Sequence, residues 1–333
     1  MKKRSTLIDV ARLAKVGTST VSRFLRGVPI RSEAAAVIAA AIAELDYTPD
    51  ETARALRGGS AQTIGVLVPQ VDNTFFSKAI QAIQLEAHER GFTIILLLHE
   101  EDAERQLRHL ATLRRYRADG VILAAASGLK ANELTSALGD TPVVAFDRAL
   151  WEELDAVTLQ NRESARAATD HLIRHKYKNI TCVTAKSDLS TFRERIVGYT
   201  EAMQAAELTP HLLAAPNYHE LRLALAALLT SGKSDALLSL SNMATNSLLF
   251  ASNDLGLPPE RRLPFLGFDD FDFAPLMSPS LSVVRQPVEL MVRYTFDFLM
   301  RRIQQSQGKA AASPTQRIAL AGELICRRSC GCG

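Results

Sequence analysis

Thr6-Leu7-Ile8-Asp9-Val10-Ala11-Arg12-Leu13-Ala14-Lys15-Val16-Gly17-Thr18-Ser19-Thr20-Val21-Ser22-Arg23-Phe24-Leu25-Arg26 reads as two short helices joined by a tight turn. Val10, Ala11 and Ala14 fall at i, i+1 and i+4, one inward stripe of a helix that Thr6 opens as N-cap. The small residues in that stripe let a second helix cross closely. That helix is expected over about Thr18 to Arg26, with Gly17 at its N-cap and Val21, Phe24 and Leu25 facing inward. Thr18, Ser19, Ser22 and Arg23 are left pointing outward. Ser32-Glu33 is expected to cap a third helix, Ala34 to Leu45, whose Val37, Ile38, Ala41, Ile42 and Leu45 complete a small core. Three helices in this order imply a helix-turn-helix, the unit whose second helix enters the major groove of DNA.

Next comes Tyr47-Thr48-Pro49-Asp50-Glu51-Thr52-Ala53-Arg54-Ala55-Leu56-Arg57, in which Pro49 opens a short helix that Gly58-Gly59 ends. About two turns of helix are not stable alone. Through D-V-A-x-x-A-x-V-x-x-x-T-V-S-R and Y-x-P-x-x-x-A-R-x-L the chain resembles the lactose-repressor (LacI/GalR) family of bacterial transcription regulators. The resemblance implies that the short helix is a hinge folding on operator DNA, with Leu56 wedged into the minor groove and Ala53 beside it on the DNA. It implies that Thr18, Ser19 and Arg23 face base edges, Arg23 as a bidentate reader of guanine, while Thr6, Ser22 and Ser32 bind phosphates. Lys15 and Gly17 stand where the family's turn usually has glycine and serine, and Asp50 where asparagine commonly follows the hinge proline. Residues 1–60 hold ten Lys and Arg against six Asp and Glu, and the remainder holds 29 against 30, so the basic surplus sits in the proposed DNA module. A palindromic operator calls for a homodimer, with a higher oligomer left open. Stripes at Ala79, Ile83 and Ala87 and along Leu221 to Leu229 are either its interface or core within a lobe.

From about residue 62 apolar runs alternate with amphipathic stretches. Strands are expected at Thr63 to Val68, Thr93 to His99, Gly120 to Ala124, Pro142 to Phe146, Ile180 to Val183, Ala236 to Ser239 and Pro264 to Phe268. Helices such as Ser77 to Arg90, Arg162 to Lys176 and Arg193 to Glu207 lie between them. Continuous apolar strands followed by helices imply parallel sheets covered on both faces, and ligands of such sheets bind beyond the carboxyl ends of the strands. The polar residues after each run are similar to those of the ribose-binding-protein type of periplasmic receptor. That resemblance implies a two-lobed, type I periplasmic-binding-protein-like α/β domain with parallel sheets, behind the all-α helix-turn-helix domain and hinge helix. It implies that Asn73, Asp147, Arg148, Arg195, Asp269 and Gln286 hydrogen-bond sugar hydroxyls and that Phe75 and Phe76 stack on ring faces. Ser241-Asn242 stands where many relatives have Asn-Asp, and the shorter Ser241 enlarges the pocket or admits a water.

The expected domains are residues 1–48, the hinge and linker 49–61, and an effector-binding and dimerisation domain 62–333. Its N-lobe is placed at about 62–160 and 287–315, and its C-lobe at about 161–286 and 316–333. The expected effector is a monosaccharide or derivative. A purine or a phosphorylated metabolite, the latter met by Lys186 and Arg193, is the alternative, and a sugar-transport receptor would need a signal peptide in place of residues 1–60. No G-x-G-x-x-G, Walker-type loop or G-x-S-x-G elbow occurs, so neither an enzyme nor a cofactor is expected. Met-Lys-Lys-Arg opens the chain without an apolar stretch after it, and no later run has membrane-spanning length, which implies a cytoplasmic protein. His171 and His175 lack the glutamate of H-E-x-x-H and are read as surface residues. Cys326, Cys330 and Cys332 form C-x3-C-x-C in what reads as a frayed tail, and no metal site is expected.

Overall fold

Period-two burial explains the strands. In Thr63–Val68 (β1), Ile64, Val66 and Val68 enter one hydrophobic cluster while Leu67 enters another on the opposite face of the sheet. Gly120–Leu123 (β3) divides in the same way, Ile122 to one side and Val121 and Leu123 to the other. A strand buried on both faces has no polar side, hence the unbroken apolar runs.

The computed structural model describes residues 5–25, 28–47, 61–148, 151–185 and 188–332. The expectations placed on residues 49–60, including Ala53 and Leu56, and on Lys186 lie outside these. The chain divides into two units, Met1–Ala61 and Gln62–Gly333.

In the first unit, helices Leu7–Leu13 (α1), Thr18–Leu25 (α2) and Ser32–Glu44 (α3) enclose Val10, Ala11, Val21, Ile38, Ala41 and Tyr47. Thr6 and Asp9 form a capping box, and the Gly17 carbonyl accepts from Thr20 and Val21 at the start of α2. Two expectations are corrected. Ser32 lies inside α3, behind an Arg31 N-cap that makes no side-chain bond, because the helix starts one turn position earlier than its apolar stripe. Val37 is exposed, since Ile38 and Ala41 already fill the space facing α1. Lys15 takes a left-handed conformation (φ 52°), where the family's glycine would sit without strain.

The second unit holds two six-stranded sheets. The first runs β11-β5-β4-β3-β1-β2, with β2 Thr93–Leu98, β4 Val143–Asp147, β5 Ala156–Leu159 and β11 Arg317–Leu320. The second runs β12-β10-β9-β8-β6-β7, with β6 Ile180–Ala185, β7 His211–Ala215, β8 Ala236–Ser239, β9 Phe265–Phe268, β10 Ser282–Arg285 and β12 Glu323–Ile325. All neighbours are parallel except β10 and β12. Helices Thr74–Glu89 (α4), Ala103–Arg115 (α5), Ala131–Leu138 (α6) and Val288–Ser306 (α11) belong to the first lobe. Asn161–Arg174 (α7), Ser190–Ala205 (α8), Tyr218–Ser231 (α9) and Asn242–Asp254 (α10) belong to the second.

The chain crosses between the lobes three times: from β5 into α7, from β10 into α11, and from β11 into β12. The third crossing corrects the boundary expected at 315–316, because β11 pairs with β5 and the chain passes over only at Ala321-Gly322. Buried Asp155 secures this region by accepting both Arg302 forks (2.7 and 2.8 Å) and the Gln316 N–H (2.6 Å). Ala79, Ile83 and Ala87 are fully buried within the first lobe, which removes that stripe as a dimer interface; Leu221 and Leu225 are core as well. His171 is buried, and the terminal segment pairs with β10 and buries Ser329 and Cys330, so neither the surface histidine nor the frayed tail stands. Among the described residues no helix is long and apolar enough to cross a membrane.

Candidate functional site

Parallel strands from both lobes end at one cavity of about 450 Å³. Behind β1 lie Pro69 and Gln70, at the end of β4 Asp147 with Arg148 after it, behind β7 Pro216, Asn217 and Tyr218, behind β8 Ser241, behind β9 Asp269 and behind β10 Gln286. All nine residues expected to hold the effector line this wall: Asn73, Phe75, Phe76, Asp147, Arg148, Arg195, Ser241, Asp269 and Gln286.

Several of them are committed to the fold first. Asn73 Oδ1 caps α4 through the Phe75 N–H (2.9 Å), leaving its amide NH2 for the cavity. Ser241 Oγ caps α10 by accepting from Ala244 N (3.1 Å) and lies 3.4 Å from the Tyr218 hydroxyl. Phe75 stacks on Phe146 (centroids 5.9 Å apart, 13° between planes) and meets Phe76 edge-on at 5.1 Å, so both rings are buried in the wall.

On the first lobe, Arg148 is held by a carboxylate the sequence reading did not include. Glu101 grips it bidentately (Nη1 to Oε2 2.9 Å, Nη2 to Oε1 2.6 Å), and Nη1 also donates to the Ala125 carbonyl at 2.5 Å. Glu101 is placed by His99, whose Nε2 donates to the Ala124 carbonyl (2.8 Å) while Nδ1 accepts from the Glu101 N–H (3.1 Å). Burial lowers the pKa of His99 and keeps the imidazole neutral, the only form that can do both. Beside Arg148, buried Asp147 has its pKa raised to about 6, burial outweighing the attraction of Arg148 and Arg195.

On the second lobe, Arg195 lies 4.1 Å over the Phe268 ring, donating from Nε to Asn161 Oδ1 (2.7 Å) and from Nη1 to the Leu240 carbonyl (2.6 Å). Desolvation lowers its pKa, and the Asp269 and Asp147 charges oppose this. Gly198, one helical turn on, lets α8 press onto α7: a Cβ there would run into the Arg162 backbone. Asp269 accepts from Gln286 Nε2 (2.7 Å) and, at 3.4 Å, from the Asn242 N–H at the start of α10. Among the described residues that line the cavity, two buried polar atoms have no hydrogen-bond partner: Arg148 Nε, a donor, and Gln286 Oε1, an acceptor.

Glu101, Asp188, Asn217 and Tyr218 line the wall without having been expected there. Arg193 is exposed and does not line it. In the first unit, Thr18, Ser19 and Arg23 are exposed on α2, Ser22 is half-buried, and Thr6 spends its hydroxyl on Asp9 (2.6 Å). Arg23 Nη2 rests 3.4 Å from the Pro29 carbonyl.

Comparison with known proteins bears on both units. The family described as bacterial regulatory proteins, lacI family, matches residues 6–50, and that described as periplasmic binding proteins and sugar binding domain of LacI family matches residues 61–257. The ribose operon repressor of Escherichia coli (strain K12) is 30% identical over 319 residues, 90% of this chain and 94% of that protein. A structure of the transcriptional regulator CelR in complex with cellobiose is 25% identical, covers 98% of this chain and all of its own, and superposes with a TM-score of 0.69. The lac repressor dimer on its operator, 22% identical over 98% of this chain and 99% of its own, has the same fold at a TM-score of 0.83. The chain therefore belongs to the LacI family of bacterial regulatory proteins and is a ligand-responsive, DNA-binding transcriptional regulator.

Proposed function

We propose that this regulator senses a neutral polyhydroxyl ligand, a monosaccharide or small sugar derivative, between its lobes and reads a two-half-site operator as a homodimer in the cytoplasm. The observation that carries the effector class is the unsatisfied pair on facing lobes, Arg148 Nε and Gln286 Oε1, each next to a buried aspartate. A hydroxyl both donates and accepts, so vicinal hydroxyls answer a donor, an acceptor and two carboxylates at once. Anionic effectors fit less well: Glu101, Asp147, Asp188 and Asp269 line the cavity, and both guanidiniums already have partners. The ribose operon repressors among its relatives and the cellobiose complex support the same class.

In this reading residues 1–48 read DNA, 49–61 form the hinge, and 62–333 sense and pair. Arg23, Thr18 and Ser19 contact bases, Thr6, Ser22 and Ser32 contact phosphates, and Ala53 and Leu56 act from the hinge. The cavity binds without turnover. A thermal-shift screen of the full chain against neutral pentoses and hexoses, sugar acids, sugar phosphates and purines tests the effector class, since a specific ligand stabilises by mass action. A neutral sugar is expected to give the largest shift, and preferential stabilisation by a phosphate or purine overturns the assignment. Arg23→Ala is expected to remove about 1–3 kcal/mol of operator discrimination, and unchanged discrimination in gel-shift competition removes its base-reading role.

A further inference from the structure

Five soft-metal donors from two distant parts of the sequence converge where α7 ends and the chain terminates. His171 and His175 stand one helical turn apart, their rings 4.7 Å between centroids. Cys326, Cys330 and Cys332 arrive with the segment that β12 and the short turn Arg328–Cys330 hold against the lobe. His171 Nε2, Cys330 Sγ and Cys332 Sγ form a triangle with sides of 3.2, 3.5 and 3.7 Å. His175 Nε2 lies 3.3 Å from Cys332 Sγ, and the donor atoms of His171, His175 and Cys332 all fall within 4.8 Å of one another. Cys326 Sγ is 3.8 and 3.9 Å from the two ring nitrogens of His171.

We propose that this cluster is a site for a thiophilic divalent cation of the zinc type, held by His171, His175 and Cys332, with Cys330 closing the fourth vertex and Cys326 in reserve. Around a tetrahedral ion with bonds of about 2.3 Å to sulfur and about 2.05 Å to nitrogen, neighbouring ligands stand about 3.3–3.8 Å apart. Four of the six edges, at 3.2–3.7 Å, match that spacing, and His171 and His175 lie within 4.8 Å of each other. Two thiolates and two neutral imidazoles around a doubly charged cation make a neutral unit, which suits the burial of His171 and Cys330. Uptake is balanced by release of the two thiol protons, so affinity falls as pH falls.

The surroundings fix the donors. The Tyr177 ring stacks on His175 (6.3 Å, 19°), and the same hydroxyl lies where a side chain at Gly331 would run. Gly331, at φ 91°, is thereby the residue that lets Cys330 and Cys332 turn toward one point. Ser282 Oγ lies 2.9 Å from the Arg327 carbonyl and 3.1 Å from Cys330 Sγ, so its one proton can turn to a thiolate. The ion would tie α7, which begins at the Asn161 that holds Arg195, to the strand pair of β12 with β10, which leads into Gln286. It is a staple on the far ends of two elements that build the effector wall.

The reduced full-length protein, freed of metal by chelator, is titrated with Co²⁺ and then Zn²⁺. One Co²⁺ per chain is expected, with the intense absorption of a tetrahedral thiolate site, displaced by Zn²⁺ and accompanied by a rise in melting temperature. Cys332→Ser and His175→Ala, both at partly exposed positions, should each weaken binding by more than the roughly 10–100-fold typical of an outer-shell partner. Asp269→Ala, in the effector cavity, should bind the metal as wild type does. Uptake of less than one ion per chain by the reduced wild type, an octahedral cobalt spectrum, or wild-type affinity in both ligand variants overturns the proposal. So does a disulfide among the three cysteines in a protein whose reduced form ignores Co²⁺.

Discussion

Asp147 at the end of β4 and Asp269 at the end of β9 occupy the same place in the two sheets: third strand from the edge, left-handed backbone (φ 66° and 73°), buried carboxylate at the cavity. Their surroundings differ. Asp269 is pinned by the Gln286 amide and the first N–H of α10, whereas the Asp147 carboxylate has an Arg148 nitrogen at 3.6 Å but no hydrogen bond among the described residues. Burial is nearly equal, so hydrogen bonding, more than exposure, separates the positioned Asp269 carboxylate from that of Asp147, whose pKa burial raises to about 6. The second lobe offers a finished half-site and the first a responsive one.

The sharpest way to break that contrast is Asp269→Ala. It strips Gln286 and α10 of their acceptor together with the effector contact, and two charge-assisted bonds of about 1.5 kcal/mol each imply roughly a 100-fold loss of sugar affinity. Operator affinity without effector should be unchanged. A normal calorimetric titration of this variant would show that the second lobe is not the pinned half. Asp147→Asn should act more through pH. With a folded pKa of about 6, wild-type Asp147 becomes protonated as pH falls through that value, and its power to accept from hydroxyls weakens, so affinity should decline below about pH 6. The asparagine variant should show no such slope. The sign for stability is opposite to that of a salt-bridged aspartate. The folded state binds this proton more tightly than the unfolded chain does, so the contribution is present below about pH 4 and is lost as pH rises through about 6. Ligand-free melting temperatures of wild type and Asp147→Asn should therefore diverge across that window, and parallel curves would place Asp147 outside the titrating set. Glu101→Gln is expected to have the smallest effect, about 1 kcal/mol or a few-fold in affinity, because half-exposed Glu101 forms a pair that solvent screens. A larger loss would mean that the first lobe, too, is held rigid.

The site was legible where the strands were. Asp147, Arg148, Asp269 and Gln286 follow apolar runs, and the rule that ligands sit beyond parallel strand ends points at them directly. Glu101 obeys the same rule behind β2, but a run of three acids reads as a solvated turn, and only its left-handed backbone and the His99 anchor reveal a fixed carboxylate. Asn217 and Tyr218 went unseen because β7 is a short edge strand, its four apolar residues Leu212 to Ala215 ending in two alanines and only Ala215 buried, so the run does not stand out as a core strand. The stripe at Ala79, Ile83 and Ala87 shows the limit of periodicity: helical spacing identifies a buried face without saying what buries it. The cysteines and histidines are separated by about 150 residues, and only the antiparallel return of β12 along β10 brings them together.

The three crossings carry a mechanical consequence. β5 and β11 are adjacent at one edge of the first sheet, and β10 and β12 at the corresponding edge of the second, so all three connections lie side by side. A single tether would leave the lobes free to twist, slide and tumble relative to one another. A row of three hinders twists and slides and leaves rotation about the row as the least resisted motion. A ligand that bridged Asp147 and Asp269 would act mainly on that angle, and one angle is sufficient for a binary signal.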